Sequence, residues 1–475
     1  MKHLHAKTVL NTLPAIDRTL VQQSLEQELK ESPYKMIVLD DDPTGIQTVH
    51  GVSVYTDWSE TSIRAGFRES NRLFFLLTNS RSFTRSETTA CHKEIAERVQ
   101  RISEEEGIPY VLVSRGDSTL RGHYPLETDV LKQTIEGMSE IRFDGEVVMP
   151  FFKEGGRLTI GDVHYVQDGE SLVPAGETEF AKDRTFSFSA SHLGEWVEEK
   201  TEGEYTKEQT IYIRLQDLRE KQVDYVKEQL MKAQGFQKIV VNAVEYSDVE
   251  IFVTAFIKAL KAGKRFLVRS AASLTKVLGG VADKPLLKKD DLVDEAATNG
   301  GLVIVGSHVK KTTEQLRQLL DSGLVEGVEL DVHLVLYHEQ FEREVARVRR
   351  ECEAAIASGR SVVCYTRRER LDLGDNQAEE ELKLAVNISD AVTSIVSDLQ
   401  VRPKYIVAKG GITSSSIGTK GLAVKRAEVL GQIQPGIPVW KTGNESKFAN
   451  ATYIIFPGNV GRPETLKEVV EELEQ

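Results

Sequence analysis

Three carboxylates stand side by side at Asp40, Asp41 and Asp42, inside the run DDDPTG at residues 40–45. They follow a short apolar run at 36–39. Such a run reads as a buried strand of a parallel sheet, and ligands bind outside the carboxyl ends of such strands. Adjacent anionic side chains repel one another, so they persist where a cation, a substrate hydroxyl or a backbone amide stabilises them. A carboxylate so placed can take the proton of a hydroxyl or help to hold a divalent cation, and any of the three suits either task. The plainer alternative is an acidic turn capping the next segment, because Asp is common in turns.

A second motif, SRGDSTLRGH at 114–123, again follows an apolar run and precedes a helical pattern. Arg121 can grip a carboxylate through two parallel hydrogen bonds, while Ser118, Thr119 and loop amides suit hydroxyls and a carboxylate's second oxygen. Arg115 and Asp117 add one charge of each sign. An ordinary turn, with Asp117 capping a helix and pairing with an arginine, is the alternative. A third segment, TNSRSFTRSE at 78–87, puts Thr78, Asn79, Ser80, Arg81 and Ser82 after the apolar run 73–77. Three strand ends bearing Asp, Arg and hydroxyl groups describe a pocket for a small polyhydroxy acid better than one for an apolar ligand.

The elements that must position these groups alternate between short apolar runs and helical patterns, the signature of an α/β protein. Strands are expected at 36–39, 52–55, 73–77, 110–113, 147–151, 238–241 and 266–268, with an amphipathic helix at 86–106. From about 153 to 210 the pattern dissolves into Gly, Ser, Thr and charge, which predicts an irregular insertion able to cover a site. Residues 279–300, with their KKDD run, read as an exposed linker. The rhythm then restarts with strands near 302–305, 328–330, 361–365, 405–408 and 453–456. The expected fold is therefore α/β in two domains, 1–278 and 301–475, each with a mostly parallel sheet flanked by helices.

The second half repeats one device three times: an apolar strand, a Gly-bearing turn with hydroxyl or amide groups, and a helical pattern. The copies are LVIVGSHVKKTTEQL at 302–316, YIVAKGGITSSS at 405–416 and YIIFPGNVGRPETL at 453–466. Glycine lets a phosphate approach the backbone, and a helix start offers free amides. Thr312 and Gln315 have the spacing of a capping box, and Pro463 suits a first helical turn. Together the turns suggest a nucleotide cleft, although neither GxxxxGK[ST] nor GxGxxG occurs. The chain is acidic, with a formal charge of -13 and a pI near 5.5, which argues against a nucleic-acid or anionic-membrane surface. Three cysteines without paired spacing suit a reducing compartment, and no apolar stretch reaches membrane-span length, so a cytoplasmic protein is expected.

At this point the sequence resembles the four-carbon acid sugar kinases, which phosphorylate threonate, erythronate and 3-oxo-tetronates with ATP. The resemblance spans most of the chain and rests on DDDPTG, DSTLRG, the Gly-Gly-x-Thr turn and the Gly-Asn-x-Gly turn near the C-terminus. Gly156-Arg157 and ETEFAKD at 177–183 look like further family features. The resemblance implies an N-terminal domain that binds the sugar acid, a C-terminal domain that binds ATP, and transfer across a cleft. It implies Asp42 or Asp41 near the acceptor hydroxyl and substrate contacts from Asp41, Arg81, Asp117, Ser118, Thr119 and Arg121. ATP contacts are implied at Ser307, Gly410, Gly411, Ile412, Thr413, Gly458 and Asn459, with Mg2+ bridging phosphate oxygens. The expected partners are thus a sugar acid and ATP, without nucleic acid or membrane, and with a homo-oligomer left open. Ile412, His123 and Val309 depart from the family pattern, standing where an acidic residue, Asn and a hydroxyl are usual. Two alternatives stand beside this reading. Asp40, Asp42 and Thr44 also fit DxDxT, which would make Asp40 the nucleophile of a haloacid-dehalogenase-like phosphatase. A sensor that binds both ligands without transfer is the other.

Overall fold

A computed structural model describes residues 3–306, 309–369, 378–458 and 460–475, with only the backbone of 378–383. The chain divides into two compact units: Met1–Val49 with Asp57–Asp283, and His50–Thr56 with Lys284–Gln475. No described helix is long and apolar enough to cross a membrane.

In chain order the early strands are β1 (Leu4–His5), β2 (Lys35–Asp40), β3 (Ser53–Tyr55), β4 (Leu73–Leu77), β5 (Tyr110–Arg115) and β6 (Gly145–Met149). Next come β7 (Arg157–Ile160), β8 (Val163–Asp168), β9 (Ser171–Pro174), β10 (Ile211–Ile213), β11 (Gln237–Val241) and β12 (Phe266–Ser270). The remainder are β13 (Leu302–Val305), β14 (Glu326–Leu330), β15 (Val362–Thr366), β16 (Ile406–Lys409), β17 (Arg426–Gln434), β18 (Ile437–Thr442) and β19 (Thr452–Phe456).

In the first unit the sheet runs β10-β11-β6-β12-β5-β2-β4 and is parallel throughout. Helices pack on both faces of such sheets, so its strands are continuous apolar runs rather than alternating ones. All five residues of LFFLL in β4 are buried. The helix Arg85–Glu106 starts at a capping box between Thr84 and Glu87 and stops at Gly107, whose φ of 66° only glycine adopts at little cost. Register sets the site: Asp40 lies opposite both Leu77 and Arg115, and Arg115 lies opposite Ser270. Four strands therefore end in one row.

Residues 153–210 are more ordered than their composition predicts. They hold β7, β8 and β9, which join β1 in an antiparallel sheet of order β1-β9-β8-β7, and the helix Leu193–Lys200. Gly161 and Asp162 turn β7 into β8 with φ values of 58° and 68°, as a two-residue hairpin loop requires. The short strands hide among polar residues because one face of such a hairpin meets solvent.

The second unit carries the order β3-β17-β18-β19-β16-β13-β15-β14. Its last five strands are mutually parallel, whereas β17 and β18 form an antiparallel hairpin around Pro435 and Gly436. The strand expected at 52–55 is present as β3, and it pairs with β17, as Arg426↔Tyr55 and Glu428↔Ser53. The segment 279–300 is not simply an exposed linker: Leu287, Leu292 and Val293 join the core of the second unit, and the short helix Lys289–Leu292 carries the charges. Two helix starts also differ from the sequence pattern. The helix Lys310–Asp321 begins before Thr312, which is buried together with Gln315. The helix Thr465–Glu474 begins after Pro463, with Glu464 at its N-cap.

Candidate functional site

The chain passes from β2 to β4 on one side of the first unit's sheet and then to β5 on the other, so strand order reverses beside β2. Loops diverge at such a reversal and leave a crevice at the carboxyl ends of the strands. The three segments singled out from the sequence all meet here. Asp41 N–H donates to the Arg115 carbonyl at 3.3 Å, and Arg81 N–H donates to the Asp41 carbonyl at 3.3 Å. Thr78 N–H and Oγ1 both donate to the Asp40 carbonyl, at 2.9 and 3.0 Å.

The three aspartates, equal in sequence, have different surroundings. Asp40 is 1% exposed and accepts from Arg115 Nη1 at 3.2 Å. A Cβ on Gly45 would stand 2.1 Å from Asp40 Oδ1, so only glycine lets the turn close over this carboxyl. Burial pushes the Asp40 pKa up to about 7, against the pull of Arg115. Asp41, 2% exposed, has both oxygens on Arg81, Oδ1 to Nη2 at 2.7 Å and Oδ2 to Nε at 3.1 Å. Asp42 has an 18% exposed side chain. Its Oδ1 accepts from Thr44 N–H at 2.8 Å and Thr44 Oγ1 at 2.6 Å, and its Oδ2 lies 3.5 Å from Arg81 Nη1. Burial alone would raise the Asp42 pKa, but Arg81 and the two Thr44 bonds outweigh it, so this carboxyl titrates below its ordinary value.

The 115–123 loop is folded around a residue that its own motif does not contain. Arg269, at the end of β12, donates through Nη2 to the Arg121 carbonyl at 3.2 Å, and its Nη1 lies 3.8 Å from Glu127 Oε2. Gly116 and Gly122 make room for it: added Cβ atoms would stand 1.5 and 3.2 Å from its guanidinium nitrogens. Glu127 in turn accepts from Ser80 Oγ at 3.0 Å, tying in the 78–82 segment. Within the loop, Asp117 accepts from Thr119 Oγ1 and, at 2.7 Å, from Arg121 Nε. Burial raises the Asp117 pKa, but Arg81, Arg121 and the Thr119 bond together hold it well below the usual carboxylate range. The pairing foreseen for an ordinary turn is thus present, and Arg121 Nε is already taken. His123 is buried; its Nε2–H donates to the Phe83 carbonyl at 2.9 Å, and its ring meets Phe186 edge-on.

The antiparallel insertion supplies the loop's outer wall. His164 Nε2–H donates to the Ser118 carbonyl at 2.8 Å, and burial lowers its pKa to about 4, so the ring is neutral. Asp183 Oδ2 lies 3.7 Å from Arg121 Nη1, and the Phe180 ring lies 5.1 Å from Arg121 Cζ.

In the second unit, strand order reverses between β13 and β16, and the Gly turns follow three adjacent strands, β13, β16 and β19. Gly410 has a φ of 114°, and its N–H donates to the Phe456 carbonyl at 2.8 Å. A Cβ on Gly458 would stand 4.0 Å from Gly410 Cα, and one on Gly306 would stand 2.9 Å from Thr413 Oγ1. The three turns are therefore in mutual reach. Gly411, Ile412 and Thr413 lie in the short helix Gly411–Ser416, with Ile412 72% exposed. Ser307 and Asn459 lie outside the described residues. Lys409, fully buried, donates through Nζ to the Pro457 carbonyl at 2.6 Å, and burial followed by repulsion from Lys311 lowers its pKa to about 7. Gln315 Nε2 donates to the Val460 and Arg462 carbonyls, bracing the last turn. Reading by motif passed over Arg269, Glu127 and Lys409. The first and last are polar residues closing apolar strands, the same signal that marked Asp40.

Comparison with known proteins gives two family matches. Residues 36–278 match the sugar-binding N-terminal domain family, and residues 302–466 match the nucleotide-binding C-terminal domain family. No curated protein sequence matches. Among solved structures, the Haemophilus influenzae protein HI1011 is 18% identical with a TM-score of 0.62, over 92% of this chain and 100% of that one. A Salmonella typhimurium LT2 protein, given the working description of a tRNA synthase, is 17% identical with a TM-score of 0.64. That alignment covers 91% of this chain and 98% of the Salmonella one. At such identities the likeness is one of fold.

Proposed function

Because the chain belongs to the family that joins a sugar-binding N-terminal domain to a nucleotide-binding C-terminal domain, we propose that it is an ATP-dependent kinase of a small, four-carbon sugar acid. The observation that carries this reading is the strand-end row in the sugar-binding domain, where carboxylates, guanidinium groups and hydroxyls converge on one crevice. That combination suits a ligand with several hydroxyls and one anionic end.

In this mechanism Asp42 receives the acceptor hydroxyl. It is the most exposed of the three aspartates, and Thr44 fixes its orientation. Its low pKa makes it a hydrogen-bond acceptor that orients the hydroxyl and takes the proton as the new oxygen–phosphorus bond forms. The bond from the terminal phosphorus to its bridging oxygen breaks, and ADP leaves. Phosphoryl transfer asks mainly for such positioning and for charge stabilisation, not for a strong base. Asp41 positions Arg81 through both oxygens. Ser118, Thr119, Asp117 and Arg121 would line the acceptor pocket. Gly410, Gly411, Ile412, Thr413 and Gly458 would hold the nucleotide through backbone amides and the Thr413 hydroxyl, with Ser307 and Asn459 as further contacts.

Among the described residues no three His, Cys, Asp or Glu side chains are grouped to hold a metal ion. A magnesium ion would arrive with the nucleotide, and Asp42 is the one residue of the aspartate row exposed enough to help hold it. When bound it would neutralise charge on the phosphates. The phosphatase alternative requires Asp40 to attack a phosphoester, and a carboxyl sealed under Gly45 and paired to Arg115 is poorly placed for that. A cytoplasmic setting is supported by three free, buried cysteines.

The test is ADP release with ATP and magnesium across threonates, erythronates, 3-oxo-tetronates and related hydroxyacids, with phosphoester hydrolysis followed in parallel. Turnover with one acid is expected. Phosphate release from a phosphoester without ADP formation from any acid would favour the phosphatase.

A further inference from the structure

Five arginines surround the crevice of the first unit, and their counter-charges divide them. Arg81 is held by Asp41 at 2.7 Å, Arg115 by Asp40 at 3.2 Å and Arg121 by Asp117 at 2.7 Å, while Arg269 lies 3.8 Å from Glu127. Arg157, the first residue of β7, is different: among the described residues it forms no ion pair with any carboxylate. Its Nη1 donates to the Gly155 carbonyl, and its Nε is buried without a hydrogen-bond partner. The residue as a whole is half-buried rather than sealed in the core.

Its neighbours show where that charge is directed. Arg157 Cζ lies 5.7 Å from the centre of the Phe180 ring, and Arg121 Cζ lies 5.1 Å from the same centre. Two guanidinium groups thus share one ring beside the Ser118–Thr119 turn, whose backbone His164 holds from the insertion side. Like charges brought together and partly desolvated are unfavourable unless an anion joins them. Asp117 and Asp183 answer Arg121. Asp117 also attracts Arg157, but from beyond contact distance, and Arg121 repels it.

We infer that Arg157, with Arg121 beside it, forms the subsite that takes the carboxylate of the substrate, Arg157 supplying a guanidinium that no carboxylate of the described residues contacts. The inference rests on the sugar-acid reading above and deepens it. It moves the carboxylate anchor away from Arg121, whose Nε already serves Asp117, to a residue of the insertion. The acceptor hydroxyl then lies at the other end of the substrate, toward Asp42. The insertion becomes the element that distinguishes an acid from the corresponding sugar alcohol.

The experiment measures calorimetric binding of threonate and erythronate, and of threitol and erythritol, to the full chain, alongside ADP release with ATP and magnesium. Wild type, Arg157→Gln and Arg157→Lys are compared. Removing a charge-assisted contact should weaken acid binding, and raise KM for the acid, by about ten- to a hundredfold. kcat should change little, alcohol binding should not change, and Arg157→Lys should recover part of the loss. A merely structural arginine would weaken acid and alcohol alike. Acid preference unchanged in Arg157→Gln overturns the subsite while leaving the kinase reading intact. Arg157-dependent acid binding without ADP formation keeps the subsite and removes the kinase reading. No acid binding by the wild type overturns both.

Discussion

Replacing Asp40 by Asn tests whether burial governs the aspartate row. Asp40 is 1% exposed, and its pKa stands at about 7 against an ordinary 3.8. A folded-state pKa raised above the unfolded value means that the native protein binds more protons than the unfolded chain between those two pH values. Stability therefore falls as pH rises through that window. At about 1.4 kcal/mol per pH unit, the fall due to this one group is about 4 kcal/mol. No discount for solvent screening is needed, because the group is not exposed. Asn has the shape of the protonated carboxyl and does not titrate, so the variant escapes the fall. Below about pH 4 the two proteins should be equally stable, and by about pH 8 Asp40→Asn should be more stable by up to about 4 kcal/mol. Urea unfolding over that range measures the difference, with Trp440→Phe as the common background so that Trp58 and Trp196 report on the first unit. A difference that does not change with pH would refute the reasoning. A variant that is less stable at high pH would show instead that the ion pair with Arg115 outweighs burial.

Asp42→Asn should lower kcat by about 10²–10⁴, the usual effect of losing a proton acceptor, while calorimetry shows the sugar acid still bound within a few-fold. Gly116→Ala should destabilise the first unit by about 1–3 kcal/mol, because the new methyl meets a guanidinium that has no room to move. Its melting temperature should fall and KM for the acid should rise together, since the 117–121 loop must shift; a variant with neither change would show that Arg269 does not shape the loop. Lys409→Met should stabilise the second unit. Lys409 drops from an ordinary 10.5 to about 7, so the unfolded chain binds more protons between those values and wild-type stability rises with pH through that window. The gain should be up to about 5 kcal/mol near neutrality, less about 1–2 for the lost carbonyl bonds, and should fade toward about pH 10 in denaturation curves.

The strands of both units were legible because runs such as LFFLL at 73–77 and LVIV at 302–305 are what a two-faced buried sheet demands. The polar residues just beyond them were legible for the same reason, since an apolar run that stops at Asp40 or Arg115 must stop at a sheet end. What failed was anything set by sheet order. Strand β12 comes late in the chain but inserts between β5 and β6, and only that order brings Arg269 into the loop that Gly116 and Gly122 open for it. Residues 53–55 look like any early strand, and their sequence does not say that they also pair with β17, far along the chain. Thr312 and Gln315 have capping-box spacing, but both are buried within the helix Lys310–Asp321, where Gln315 braces the last turn instead.

The aspartate row shows most directly why types and spacing stop short of roles. The sequence gives three identical carboxyls with no ground for ranking them. The ranking follows from three further contacts: the closure of Gly45 over Asp40, the two-point grip of Arg81 on Asp41, and the paired donation of Thr44 to Asp42. The first raises a pKa, the second uses up both oxygens, and the third leaves an ionised group whose second oxygen has only a long, 3.5 Å contact with Arg81 Nη1. Of the three, that carboxyl is also the most exposed, so the proposed contact with a ligand hydroxyl asks the least rearrangement there. The same reasoning, applied to guanidinium groups, separates Arg157 from Arg121. In both rows the group proposed to meet a ligand is the one the fold holds least tightly, so a function argued from motif residues has to be checked against what each of them is already doing.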